Sequence, residues 1–414
     1  LRSSRASIVA WCLLSAEPAL GTPSALFGPG PRSQALGGTG AATPDTVEAA
    51  ATNPAALGGE RPEAVLGYRA THFELRAEPL PDTRAALGAG LFGVTLPLLR
   101  GERYGLTLGM LAATPNELVV SAELPPADEP QFPLLLERAR ALDLALGLGF
   151  RFRELGVGLG LRALAGLDGH ARVVDESGRT RAEVADTLDP VAAPVLGAFF
   201  EASPVDRLAL VGRAALSAEF DVAVDVAALG SVTLPELAIG GVAHYDPAEL
   251  HAEWRRAFGR RGTTRAALAL TYRRWSAFPG WLSQTVVCKA PDCTASPKER
   301  VSLSDTLVPR LGLEQALELG SATVSLRAGY FYEASPLEEQ RSAANRFDDA
   351  RHAFGLGYGL ELERFSLDLG YQLQVLVPRE HVKGAAVAPD NPGFPRVRSE
   401  GEVHVLSIAI GGAL

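Results

Sequence analysis

The sequence predicts an all-β protein: a transmembrane antiparallel β-barrel of about 14 strands, with an N-terminal plug inside its lumen. The first observation is strict alternation. Leu142, Leu144, Leu146, Leu148, Phe150 and Phe152 share one face of an extended chain, against Asp143, Ala145, Gly147, Gly149 and Arg151 on the other. The pattern recurs at Phe354 to Leu362, at Phe365 to Val375 and at Val324 to Tyr332, and period two over such lengths is a strand with two unlike faces. The second is the spacing of strands. Tight turns (Phe152 to Gly156, Ser203 to Arg207, Glu363 to Phe365) alternate with long polar links (Pro115 to Leu136, Asp175 to Asp189, Pro336 to Asp349), as in an outer-membrane barrel. The third is composition. Apolar residues make up 47% and charged residues 21% of 414, which excludes a disordered chain, and no apolar run is long enough for a transmembrane helix. A net charge of −9 argues against nucleic acid as a partner.

The elements follow in chain order. Residues 1–21 read as an export signal: Arg2 and Arg5, the apolar run Ala6 to Leu14, then the small-x-small site Ala19-Leu20-Gly21, so that Thr22 opens the mature chain. Residues 22–61 are rich in Gly, Ala and Pro and lack alternation. A barrel this wide needs its lumen filled, and this segment is the expected plug. The barrel occupies 62–414, with strands expected at 62–75, 84–97, 103–115, 138–152, 156–172, 191–202, 207–222, 234–246, 263–279, 301–317, 321–335, 350–362, 365–380 and 400–413. Tyr104, Phe150, Phe152, Tyr332, Trp275 and Trp281 are placed for interfacial girdles. With Cys12 inside the export signal, the spacing Cys288-Lys-Ala-Pro-Asp-Cys293 reads in an exported protein as a short disulfide loop.

The segment Arg32-Ser-Gln-Ala-Leu-Gly-Gly-Thr-Gly-Ala-Ala, followed by Asn53-Pro54-Ala55, resembles the N-terminal hatch of the FadL-like outer-membrane long-chain fatty-acid transporters. Leu234-Pro235-Glu236 is similar to that family's Leu-Pro-acidic strand. Leu326-Arg327-Ala328-Gly329-Tyr330 with Ser335-Pro336 and Asp348-Asp349 resembles another of its blocks, and Tyr272-Arg-Arg-Trp275-Ser276 its Trp-Ser strand end. Two departures stand out: the chain ends on Leu414 in place of an aromatic, and Glu249 to Arg261 is long and basic where a tight turn is expected. The resemblance implies passive uptake of a hydrophobic molecule, a long-chain fatty acid or hydrocarbon, by a monomer surrounded by lipid in the outer membrane of a Gram-negative bacterium. Two other classes stay open: a structural, secretion-associated or surface-display barrel without uptake, and an outer-membrane lipid hydrolase.

On the plug reading, Asn53 and Pro54 hold a sharp bend, Ala55 keeps it small, and Gly37, Gly38 and Gly40 allow close approach to the wall. These six are the candidate gating residues. A carboxylate head group would favour a lumen arginine. Arg151, Arg162, Arg213, Arg273 and Arg327 lie on inward faces, where they bind such a head or pair with Asp143, Glu219, Glu361 or Asp368. Phe132 to Leu136 is either an apolar loop that accepts cargo or the end of a strand. The seven histidines form no metal-ligand spacing, and neither a nucleophile elbow nor a phosphate loop occurs; no metal, cofactor or catalytic residue is expected. Labelling the exported, purified protein with a thiol reagent tests the Cys288–Cys293 pairing. Both cysteines should resist modification until reductant is added, and ready labelling would refute the bond.

Overall fold

In the computed structural model, residues 22–43, 46–58, 61–116, 130–139, 142–176, 179–226, 236–259, 263–279, 282–287, 302–339, 345–382 and 396–414 are described. Residues 1–21, expected to be an export signal, and Trp281, Cys288 and Cys293 lie outside them. The strands are β1 (Glu63–Glu78), β2 (Thr83–Arg100), β3 (Tyr104–Pro115), β4 (Asp143–Phe152), β5 (Leu155–Glu176), β6 (Arg179–Glu201), β7 (Asp206–Arg213), β8 (Leu216–Val226), β9 (Glu236–Asp246), β10 (Ala248–Phe258), β11 (Thr264–Arg274), β12 (Leu282–Val287), β13 (Thr306–Leu319), β14 (Ala322–Glu333), β15 (Arg351–Glu361), β16 (Phe365–Val382) and β17 (Arg396–Ala413).

Fourteen strands make a closed antiparallel barrel: β1 to β7, then β10, β11 and β13 to β17. The seam is β1 against β17, in register from Glu63↔Ala413 to Glu78↔Arg398. The other three form a sheet outside the wall. β8 pairs in parallel with the far half of β5, from Leu167↔Phe220 to Val173↔Val226, β9 pairs with β8, and β12 with β9.

The expected number of wall strands therefore holds, but two assignments change. The span expected at 234–246 contains β9 (Glu236–Asp246) of the outer sheet, residues 234 and 235 lying outside the described ones, and 207–222 divides into wall strand β7 and outer strand β8. The fourteenth wall strand is β10, within the segment expected to be an anomalous turn. Its alternation is complete, with Leu250, Ala252, Trp254 and Phe258 exposed and His251, Glu253 and Arg255 buried. Only half of a wall strand meets lipid, so a fully charged inner face is compatible with spanning. Trp275 also departs from expectation: it is 1% exposed, in a 3-10 turn after β11, and packs on Tyr245 in place of facing the membrane interface.

Before β1 come three helical turns, α1 (Pro23–Phe27), α2 (Pro31–Ala35) and α3 (Ala49–Thr52), then a 3-10 turn at Pro54–Ala56. Pro23 and Pro31 stand in first turns, where a missing N–H costs nothing. α1 stops at Gly28 (φ 89°), and the chain after α2 turns at Gly37 (φ 66°), a region closed to most side chains. The β3–β4 link holds α4 (Leu136–Ala139). Phe132 and Leu135 there are neither exposed nor in a strand: they pack with Phe27, Phe73, Phe347 and Val405 in the largest apolar cluster. The outer wall is apolar at Leu148, Phe150, Leu161, Leu208 and Leu268, among others.

Leu159, 55% exposed and opposite Leu148 at mid-band, gives the sharpest test of this topology. Leu159→Arg should destabilise the barrel by about 2–4 kcal/mol, the cost of a cation at the bilayer midplane, read by urea titration of the vesicle-embedded protein.

Candidate lumen site

Residues 22–58 hydrogen-bond to strands all round the cylinder. Arg69 on β1 donates to Gly28 O (2.6 Å), Asp143 on β4 accepts from Ser24 N (2.9 Å), and Arg273 on β11 donates to Ala25 O (3.0 Å). On β13, Arg310 donates to Gly37 O (2.9 Å), and on β7, Arg213 donates to Ala51 O (3.2 Å). Gln34 donates to Gly370 O on β16 and to Val405 O on β17, and its own oxygen accepts from Ser407. Most of the described residues of the segment are buried and none is exposed.

The candidate bend is a compact hub. Asn53 Nδ2 donates to Ala41 O (2.9 Å) and to Ala198 O of β6 (3.2 Å), and its Oδ1 accepts from Ala55 N (3.0 Å). The wall is glycine where this hub touches it. A Cβ at Gly158 would stand 2.2 Å from Ala55 N, and one at Gly197 2.0 Å from Asn53 Oδ1, so neither position accepts a side chain without moving the bend. Across the lumen, a Cβ at Gly329 would stand 2.1 Å from Gly37 N. The repeated glycines of β4, β5 and β14 thus mark contact with this segment, not a nucleotide fingerprint.

The five candidate arginines all meet carboxylates. Arg162 binds Asp246 (3.2 Å), which Arg138 also binds (2.8 Å). Arg213 and Arg273 share Glu249, and Arg273 also reaches Glu333, which pairs with Arg351. Arg327 joins Glu314 (2.9 Å) and Asp368, and Glu314 further binds Arg32 and Arg265. Arg151 binds Glu201 (2.6 Å) near the β4–β5 turn. Removing one member of such a buried group strands its partner, at a cost of about 3–5 kcal/mol. Sequence reasoning missed Glu249, Glu253, His251 and Arg310. The signal for the first three was charge on every second residue of β10. Arg69 and Arg310 form no ion pair among the described residues; Arg69 Nε and Nη1 are buried without a partner, and the guanidinium faces the Phe27 ring at 5.8 Å.

Two buried hydroxyl–imidazole pairs bear on hydrolytic chemistry. Ser399 Oγ lies 3.0 Å from His381 Nε2 and donates to Asp349 Oδ1 (2.7 Å), an arrangement that directs the hydroxyl proton to the carboxylate and away from the imidazole. Thr271 lies 2.8 Å from His251 Nδ1, fully enclosed. Among the described residues no group of His, Cys, Asp and Glu is arranged to hold a metal.

No protein-family model and no curated protein sequence matches the chain. Solved structures do. A FadL homologue from Pseudomonas aeruginosa superposes with a TM-score of 0.61 at 14% identity, covering 96% of this chain and 99% of the other. The Pseudomonas putida toluene transporter TodX does so with a TM-score of 0.56 at 13% identity, covering 96% and 99%. The monoaromatic hydrocarbon channel CymD gives 0.53 at 19%, covering 93% and 97%. The chain has the fold of the FadL-type outer-membrane transporters.

Beyond the spanning strands, the β14–β15 link buries two adjacent acids. Burial raises the Asp348 carboxyl to about 6 against the pull of Arg351. Burial, offset by the Ser399 bond and reinforced by Asp348, raises Asp349 to about 7. The folded state therefore holds protons that the unfolded chain releases near pH 4, and stability falls as pH rises from about 4 to about 7. Asp349→Asn keeps an acceptor for Ser399 and removes the titration. Its unfolding midpoint should vary less across this window and exceed that of the unmodified protein at pH 8; parallel pH profiles would refute the assignment.

Proposed function

We propose that the protein is an outer-membrane channel for passive uptake of hydrophobic molecules, long-chain fatty acids or hydrocarbons. In this reading, residues 1–21 are an export signal, 22–61 are a plug, and 62–414 are the barrel that carries it. The observation that carries the proposal is the hydrogen bonding of residues 22–58 to strands on opposite sides of a closed cylinder. A lumen filled by a small-residue segment held through its backbone can be cleared without unfolding the wall. A lumen filled by wall side chains cannot.

The layering supports an amphiphilic cargo. Toward the long-link end, Phe27, Phe73, Phe132, Leu135 and Phe347 form an apolar cluster, and beyond it lies the arginine–carboxylate interior. Arg69, Arg255 and Arg310 are buried cations without an ion pair among the described residues, which a head group could take without displacing a wall carboxylate; at Arg151, Arg162, Arg213, Arg273 and Arg327 it would have to compete. The likeness to a FadL homologue and to hydrocarbon channels supports this class of cargo at the level of fold. The lipid-facing wall supports placement as a monomer in the outer membrane of a Gram-negative cell, and neither hydroxyl–imidazole pair favours an enzyme.

Uptake of a radiolabelled long-chain fatty acid or of toluene, by cells lacking other routes and expressing this chain, tests the reading; no uptake of either, with the barrel assembled, would overturn it. Within that assay, Asn53→Ala removes three hydrogen bonds worth about 1.5–4.5 kcal/mol together. The bend then loses its ordered displacement, and uptake should slow by roughly tenfold, with assembly intact. A bulky Ala55→Leu, pressed on Gly158, should do the same. Unmodified rates in both would refute a gating role for this bend.

A further inference from the structure

We propose that Glu253 of β10 is the positioning residue that fastens the bend at residues 37–42 across the lumen and keeps the resting channel closed; this rests on the plug reading above. The bend has few contacts of its own: Gly38 N donates to Ser33 O (2.8 Å) and Thr39 N to Leu36 O (3.3 Å), and the methyls of Ala41 and Ala42 cluster with Val195, Ala209 and Val211. Gly37, Gly38 and Gly40 have φ of 66°, 76° and 140°, Ala41 and Ala42 carry only methyls, and the Thr39 hydroxyl donates back to Leu36 O. Such a segment is anchored chiefly through its backbone.

Glu253 supplies that anchor. Its Oε2 accepts from Gly40 N (2.8 Å) and Ala41 N (3.0 Å), and its Oε1 from Ala42 N (3.0 Å). Three successive amides converging on one carboxylate form an anion nest. The Glu253 side chain is 0% exposed, so in leaving the nest it would give up bonds that no water replaces. Behind it stands a relay with one consistent polarity. An ionised carboxylate only accepts, so His251 Nε2 (3.4 Å) carries the proton facing Glu253. His251 Nδ1 then accepts from Thr271 Oγ1 (2.8 Å), which accepts from Arg310 Nε (3.2 Å). Arg310 Nη1 closes the circuit on Gly37 O, at the other end of the same bend. Neighbouring wall strands β10, β11 and β13 thus grip both ends of residues 37–42, while Asn53 holds Ala41 O from within the segment.

Glu253→Gln preserves size but leaves one good acceptor and turns an NH2 toward the amides. Amide hydrogen exchange over residues 37–42 in the detergent-purified protein should accelerate by about tenfold or more, and ionic conductance in planar phospholipid bilayers should rise severalfold. Glu253→Asp, with the charge kept on a shorter arm, should recover part of both effects. Thr271→Val, which breaks the relay and leaves the carboxylate, should shift both in the same direction by less, and serves if the Gln variant does not assemble. Unchanged exchange, or faster exchange with unchanged conductance, in variants that retain the heat-modifiable barrel band would overturn the proposal. Neither readout uses cargo, so failure of the uptake reading is separable from failure of this one.

Discussion

Every backbone N–H and C=O within hydrocarbon has to find its partner inside the protein, because lipid offers none. The seam between β1 and β17 is where this chain meets that obligation. Once the sixteen residue pairs from Glu63↔Ala413 to Glu78↔Arg398 are formed, no wall edge is left. Closure also fixes the circumference, and with it an interior too wide for wall side chains to fill. On the proposed plug reading, the segment that occupies the interior and the glycines that receive it follow from that one constraint.

On the proposed plug reading, the interior is filled with backbone and with charge, where a soluble protein would use packed side chains. Residues 53–57 lie so close to the wall that Gly158 and Gly197 have no room for a Cβ. The remaining space holds arginine–carboxylate groups that neutralise one another, such as Arg213–Glu249–Arg273–Glu333–Arg351. Buried charges are tolerable only when paired and hydrogen-bonded, so Arg69 and Arg310, two of the buried cations without a carboxylate among the described residues, stand apart chemically. Both turn to backbone carbonyls of residues 22–58 and to an aromatic face. Their pairing partner is the segment itself.

The wall and its contents are therefore coupled through a few polar side chains, not through a continuous apolar core. The larger apolar clusters lie at one end, around Phe73, Phe132 and Phe347, and around the Asn53 bend, with Ala50, Leu57 and Phe199. Elsewhere the contacts are hydrogen bonds to main-chain atoms and one small apolar patch, where Ala41 and Ala42 meet Val195, Ala209 and Val211. Such contacts are directional and few, so small changes in any one of them act on the position of the whole segment.

Alternation makes the barrel legible in the sequence itself. Leu144 to Phe152 and Phe365 to Val375 each show an apolar face and a small or polar one, and only a strand between lipid and an occupied lumen requires both. The spacing of turns likewise carries the direction of the chain. Periodicity by itself misplaces β9 and passes over β10. Apolar runs are a poor guide to a strand whose inner face is Glu249, His251, Glu253 and Arg255, and that face depends on groups far away in the chain: Arg213 and Arg273 at Glu249, Thr271 at His251 and the amides of residues 40–42 at Glu253. The same holds for the site. Asn53, Pro54 and the glycines announce a bend by their local backbone preferences. That Glu253 binds residues 40–42, or that Arg273 sits between Glu249 and Glu333, depends on groups far apart in the chain, brought together by closure of the barrel. Local periodicity determined the architecture, and long-range geometry decided which polar groups meet.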